Sequence, residues 1–177
     1  IFISDREWGI YQAGIRLLIA ANLFINILNS IAIPQLAKAY KNSRDDFITL
    51  TNIFVKSSWA VGLLFATGFY FFSEQIIFIM FGKEYIGLLE YKVFISVIIM
   101  VRYISAVLGV VLTACDKQVA RMKALVWTVI GMSVVGGGFI PVYGIVAAYY
   151  ISCLGACLLG LLYFKYAKTY LNLERNI

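Results

Sequence analysis

The chain has no histidine, and its 177 residues include only three cysteines and two prolines. Without histidine, its own side chains cannot build a serine–histidine hydrolytic pair or the usual catalytic zinc site. The cysteines are odd in number and sit in apolar runs, so they offer no disulfide framework. Charge is scarce as well. Asp, Glu, Lys and Arg make up 14% of the residues, against about 25% in soluble domains. A disordered chain or a nucleic-acid-binding module would carry far more charge than this, so both classes are excluded. What the chain has in excess is hydrocarbon. Hydrophobic residues reach 62% and the mean hydropathy is +0.88. Such a chain belongs in a membrane.

A membrane helix needs about 20 largely apolar residues to cross about 30 Å of hydrocarbon at about 1.5 Å per residue. Residues 10–33 supply the first candidate, broken only by Arg16 and a few amides, and Pro34 is expected to close it. A polar stretch follows, Lys38 to Asp46, within a loop expected to reach Lys56. The second candidate, 57–73, is uncharged and short, and the third, 93–115, carries Arg102 near its middle. Between them, residues 74–85 are apolar but too few to cross. They are expected to lie in the interface or to extend span two until Gly82. The run from Ala124 to Phe164 contains no charge for 41 residues, about two crossings. Its glycine-rich segment Gly136–Gly144, with Pro141, is a fold-back signal that divides it into spans at 124–139 and 143–164. The expectation is an all-α polytopic bundle of five spans.

Charge placement orients the bundle. Ten basic residues (Lys38, Lys41, Arg44, Lys56, Lys117, Arg121, Lys123, Lys165, Lys168 and Arg175) fall in alternate loops and the tail. The opposite loops hold only Arg6, Lys83 and Lys92. Basic residues favour the cytoplasmic side, so span one runs inward and the C-terminus is expected in the cytoplasm. An odd number of spans starting outside, an initial residue Ile1 and an apolar Ile1–Ser4 lead us to expect a fragment that lacks an N-terminal bundle.

Between lipid-embedded helices, small residues mark close contacts. Span five has Gly144, Ala148, Ser152, Ala156 and Gly160 at every fourth position, a stripe expected to pack on span four. Span two has a shorter version in Ser58, Gly62 and Ala66. Cys153 and Cys157 are one turn apart, but with no further Cys or His at suitable spacing they read as small core residues. No metal or cofactor is expected.

Polar groups inside a membrane are costly and tend to face a bundle interior or a wet cavity. At about 100° per residue, Gln12, Arg16, Asn22, Asn26 and Asn29 fall within an arc of roughly 140° on span one. Arg102 is costlier. Near mid-depth a basic side chain costs at least about 2.5–3.5 kcal/mol on insertion scales. All nine acidic residues lie outside the spans, so Arg102 has no anionic partner at its own depth. Arg16, Asn22, Asn26 and Arg102 are therefore the candidate cavity-lining residues. A cavity with arginines and no carboxylates suits an anionic cargo.

The order of features also resembles a known family. The stretch from Gly9-Ile10-Tyr11-Gln12-Ala13 through Asn22–Ser30 to Ile33-Pro34-Gln35-Leu36-Ala37 is similar to a recurring helix of bacterial polysaccharide flippases. These are the O-antigen and capsule repeat-unit transporters of the multidrug/oligosaccharidyl-lipid/polysaccharide exporter superfamily. Ile76–Tyr85, Arg102–Gln118 and the glycine-rich turn before Tyr143–Ala148 fit the same order. The resemblance implies the second of two pseudo-symmetric helical bundles. It also implies a cargo, an undecaprenyl-pyrophosphate-linked oligosaccharide moved across the bacterial cytoplasmic membrane by alternating access. The implied partners are that lipid-linked oligosaccharide, membrane lipids, a coupling ion, and the polysaccharide polymerase and chain-length machinery, with no nucleic acid. The alternatives are a multidrug or cation exporter of the same superfamily, which would want an intramembrane carboxylate, and a non-transport membrane protein whose polar stripes only glue helices. An enzyme would usually show a large polar loop with paired carboxylates, and the loops here are short.

Overall fold

A computed structural model describes residues 4–173, and every regular element among them is helical. The expectations placed on Ile1–Phe2–Ile3, Glu174 and Arg175 lie outside the described residues. Helix α1 spans Asp5–Asn42, α2 Arg44–Phe81, α3 Lys92–Ala114 and α4 Gln118–Leu173, with a 3-10 segment at Lys83–Tyr91. All four α-helices are long and apolar enough to cross a membrane. The chain is an all-α bundle of membrane-spanning type.

The first helix opens on a capping box. Ser4 Oγ accepts from the Glu7 backbone N–H while the Glu7 carboxylate accepts from the Ser4 N–H at 2.9 Å. These bonds satisfy N–H groups that a helix start would otherwise leave open, and they hold the exposed Glu7 carboxyl below its ordinary range.

Two boundaries differ from those expected. Pro34 does not close α1, which continues for eight residues to Asn42. Proline removes one hydrogen bond and bends a helix, and the polar stretch after it contains no second breaker. The expected loop at 38–56 is itself helical, interrupted only at Ser43. Ser43 ends α1 in an extended conformation and caps α2, its Oγ accepting from Asp46 N–H, with Asp45 and Asp46 favourably placed in the first turn. Tyr40 and Phe47 pack edge to face across this turn at 5.3 Å. Residues 74–81 extend α2 past a kink at Phe72, and Gly82, at φ 89°, stops it as expected.

The 56-residue α4 is a hairpin, not a rod. Gly144 breaks it at φ 60° and ψ −138°, a conformation that a side chain would oppose. Residues equidistant from that break then meet. Gly155 sits against Met132, Leu158 approaches Gly131, and Tyr163 and Ala167 share an apolar cluster with Ala124. The arms, 118–143 and 145–173, are therefore antiparallel, and the molecule offers five lengths of spanning helix. The reversal needs one glycine. Residues 136–143 stay helical, and nothing packs against Gly137 or Gly138.

Helix α3 is the hub. Its most apolar window is 67% buried, against 22–33% in the other helices. Gly62 of the span-two stripe lies against α3, where a Cβ would stand 2.8 Å from Tyr103 Cβ, and Ser58 and Ala66 are buried on the same line. That stripe is a helix contact. The span-five stripe behaves otherwise. Gly160 faces Ser105 of α3, Ser152 and Ala156 line a cleft, and the contact with the first arm falls to Gly155 instead. An every-fourth pattern drifts about 40° per step around a helix, so five positions cannot all face one neighbour.

Candidate functional site: a polar cleft between α1 and α4

Among the described residues, helices α1 and α4 meet where Tyr149 reaches Tyr11 and Gly14, at one end of the bundle. There Tyr149, 1% exposed, stacks on Tyr91 at 4.5 Å and takes Tyr11 edge-on at 5.6 Å. Its hydroxyl presses on Gly14, where a Cβ would collide with it. Toward the other end the two helices diverge on either side of α3. The gap is a cleft of about 510 Å3.

Three of the four expected site residues come together in it. Asn22 and Asn26 enter from α1 and Arg102 from α3, and Asn29 continues the amide row one turn further on. The register of α1 on α3 is set by Tyr103, whose hydroxyl donates to the Ala21 carbonyl at 3.2 Å. That bond places Arg102 level with Asn22. Arg102 makes no hydrogen bond or ion pair among the described residues, nor do the side chains of Asn22, Asn26 and Asn29. Their donors are open to the cleft.

Arg16 stands apart from this cleft. It is exposed on the outer face of α1 and does not line the cleft. At about 100° per residue it stands about 120° around the helix from Asn22, so the polar arc covers two surfaces rather than one wet face.

The opposite wall adds residues that sequence reasoning missed. Ser105 and Thr128 line the cleft, each donating its hydroxyl proton at 2.8 Å to the carbonyl four residues back, which spares a buried hydroxyl an unmet bond. Arg121 is the important omission. Counted as loop charge, it sits instead in the first turn of α4, half-buried at the wide end of the cleft. Its Nη1 donates to Thr113 Oγ1 at 2.9 Å, and Thr113 donates onward to the Gly109 carbonyl at 2.9 Å. A signal for it exists in the sequence. Arg121, Leu125, Thr128 and Met132 repeat at helical spacing and share the cleft wall.

The cleft is thus lined by two guanidinium groups, three primary amides and several hydroxyls, with no carboxylate among the described lining residues. The N–H donors of the two arginines and three amides outnumber the amide oxygens, and the charge is positive. Such a surface attracts oxyanions, because arginine presents paired N–H groups that match carboxylate or phosphate oxygens. Cys153 and Cys157 lie on the second arm as free thiols, and the described residues contain no cluster of three or more His, Cys, Asp or Glu able to hold a metal. Compared with known proteins, the chain matches no protein-family model, no curated protein and no solved structure.

Proposed function

We propose that this membrane protein is a transporter of the polysaccharide-flippase kind, carrying an undecaprenyl-pyrophosphate-linked oligosaccharide across the bacterial cytoplasmic membrane for surface polysaccharide assembly. One observation carries the reading: a cleft between spanning-type helices that holds Arg102, unpaired among the described residues, and no acid among its described lining residues. A diphosphate headgroup would supply the missing counter-charge, and the amides of Asn22, Asn26 and Asn29 would meet the first sugars. With its basic ends cytoplasmic, the cleft is open inward and closed outward by the Tyr11–Tyr91–Tyr149 cluster, as an alternating-access carrier waiting for cargo would be.

The rival readings fit less well. A proton-driven cation exporter needs an acidic carrier group in its cavity, and a row of cationic donors would repel its cargo. Helix glue would show the asparagines bonded across an interface, worth about 0.6 kcal/mol each on average. Here they bond to nothing among the described residues.

The test is complementation of a flippase-deficient strain by the complete protein. Arg102→Ala should reach the membrane in normal amounts yet fail to restore surface polysaccharide. Arg102→Lys should restore part of it, since lysine keeps the charge but loses the two-pronged grip. Normal surface polysaccharide from well-expressed Arg102→Ala would remove the headgroup role.

A further inference from the structure

The wide end of the cleft carries its own cation, and its geometry differs from that of a surface charge. A basic residue whose task is only to orient the bundle can extend its side chain into the headgroup region and needs no fixed partner. Arg121 instead lies back across α3. The position where a Gly109 Cβ would stand is 3.5 Å from its Nε, ordinary contact, and a tighter 3.1 Å from the Tyr163 ring, so the guanidinium lies directly over Gly109. Thr113 spends its own proton on the Gly109 carbonyl and can therefore act only as acceptor toward Arg121. One N–H of the guanidinium is anchored in this way. The remaining donors border the cleft, and Arg121 makes no ion pair among the described residues. Asp116, the nearest acid in sequence, is exposed and does not line the cleft.

The arrangement also has depth. Thr113 lies eleven residues along α3 from Arg102, about 16 Å of helix. Asn29 stands about 10 Å along α1 from Asn22 in the same direction. The cleft therefore has two cationic stations, one at its mouth and one at mid-depth, with amides spanning the interval. One diphosphate group, a few ångströms long, cannot reach both at once.

We infer that Arg121, held by Thr113 over Gly109, is an entry subsite for the phosphate or diphosphate group of a lipid-borne ester, which it receives at the cytoplasmic mouth before the group reaches Arg102. The inference rests on the anionic-cargo reading above. A diphosphate at this station accepts from the free edge of the guanidinium while its hydrocarbon stays in the bilayer. Moving on exchanges one arginine for the next across an interval lined by the Asn22, Asn26 and Asn29 amides, so the anion keeps hydrogen-bond donors beside it as it passes between them.

The test is binding to the complete protein in phosphatidylcholine nanodiscs, with a polyprenyl diphosphate in one arm and inorganic pyrophosphate in the other. Arg121→Gln should weaken binding about tenfold or more, as expected for lost charge-assisted hydrogen bonds. Arg121→Lys should recover part of the loss. Thr113→Val keeps every charge and removes only the anchor, so weaker binding by this variant separates a positioned subsite from a merely basic mouth. An effect confined to the polyprenyl arm assigns the subsite to the lipid-linked ester, and an equal effect in both arms assigns it to the bare diphosphate. Wild-type affinity in both Arg121→Gln and Thr113→Val overturns the subsite. If Arg102→Gln still weakens binding in that case, the cargo reading survives without it. If the wild-type protein binds neither probe, both fall together.

Discussion

Gly62 is a close-contact point of the α2–α3 seam, and replacing it by alanine measures how rigid the hub is. The added Cβ would stand 2.8 Å from Tyr103 Cβ and 3.4 Å from the Met100 carbonyl oxygen. Neither neighbour can yield easily. The obstructing atom of Tyr103 is the root of its side chain, the residue is 1% exposed, and its far end is tied to the Ala21 carbonyl. Overpacking of this kind costs about 1–3 kcal/mol. Alanine also recovers about 0.8–1.0 kcal/mol of helix propensity relative to glycine, which would mask part of the cost. Gly68, on the same helix with nothing within 4 Å of its added Cβ, provides the correction. Gly68→Ala should gain propensity alone. The difference between the two variants then isolates the clash. At about 2–4 °C per kcal/mol for a chain of this size, Gly62→Ala should melt about 2–12 °C below Gly68→Ala in matched detergent scans. Equal melting temperatures would mean that α2 and α3 are not pressed together at this point, and the stripe would lose its meaning as a contact.

Tyr103→Phe and Tyr149→Phe should move stability in opposite directions in the same assay. The first loses a hydrogen bond worth about 0.5–1.5 kcal/mol net, whereas the second removes a buried hydroxyl that has no partner and should leave the protein equal or more stable. On α4, Gly155→Leu should sharply lower the yield of folded protein because Met132 occupies the space, while Ala156→Leu should fold normally and block transport by filling the cleft. Loss of folding in Ala156→Leu would return that position to the helix interface. Cysteines at Asn42 and Glu84, both exposed, should differ in a background without Cys115, Cys153 and Cys157. An impermeant thiol reagent added outside cells should label position 84 and not 42, and the reverse pattern would invert the orientation.

Spans, fold class and most of the cleft could be read from composition and periodicity, because in a bilayer they follow from burial cost alone. A run such as 93–115 has no alternative to a spanning helix, and a lone Arg102 within it must face polar surroundings. Helix ends were harder to place. Outside the hydrocarbon a polar segment can be loop or helix at similar cost, which is why the helical state of 38–56 and the place of Arg121 on α4 are not legible in the sequence. Arg16 lies outside the cleft for a different reason. An angular projection sorts residues around one helix but does not say where its neighbours stand, and α1 has polar groups on both sides of the edge where the cleft begins. Only the pinning of Tyr149 on Gly14 and of Tyr103 on Ala21 decides which side is enclosed.

The missing carboxylate gives the cleft its character. A bundle with a mid-depth arginine can lower its cost by pairing it with a buried acid, but breaking such a pair later costs about 3–5 kcal/mol, and an incoming anion would have to bear that cost. Here α1 and α4 diverge instead, and Arg102 is left exposed on the cleft wall with no acid among the described lining residues. The price of that choice is packing: two helices that could have closed on each other are held apart below Tyr149. An oxyanion that enters has no ion pair to break among the described lining residues, and its affinity then reflects the full strength of the guanidinium contacts. Replacing Asn26, which is exposed on the cleft wall, by Asp would supply the absent acid within the same cavity. Asn26→Asp should leave the fold intact and depress transport of an anionic cargo more than Asn26→Ala does, as judged by surface polysaccharide at equal protein levels. A charged residue that matters no more than a truncated one would show that the cargo does not sense the sign of the cleft.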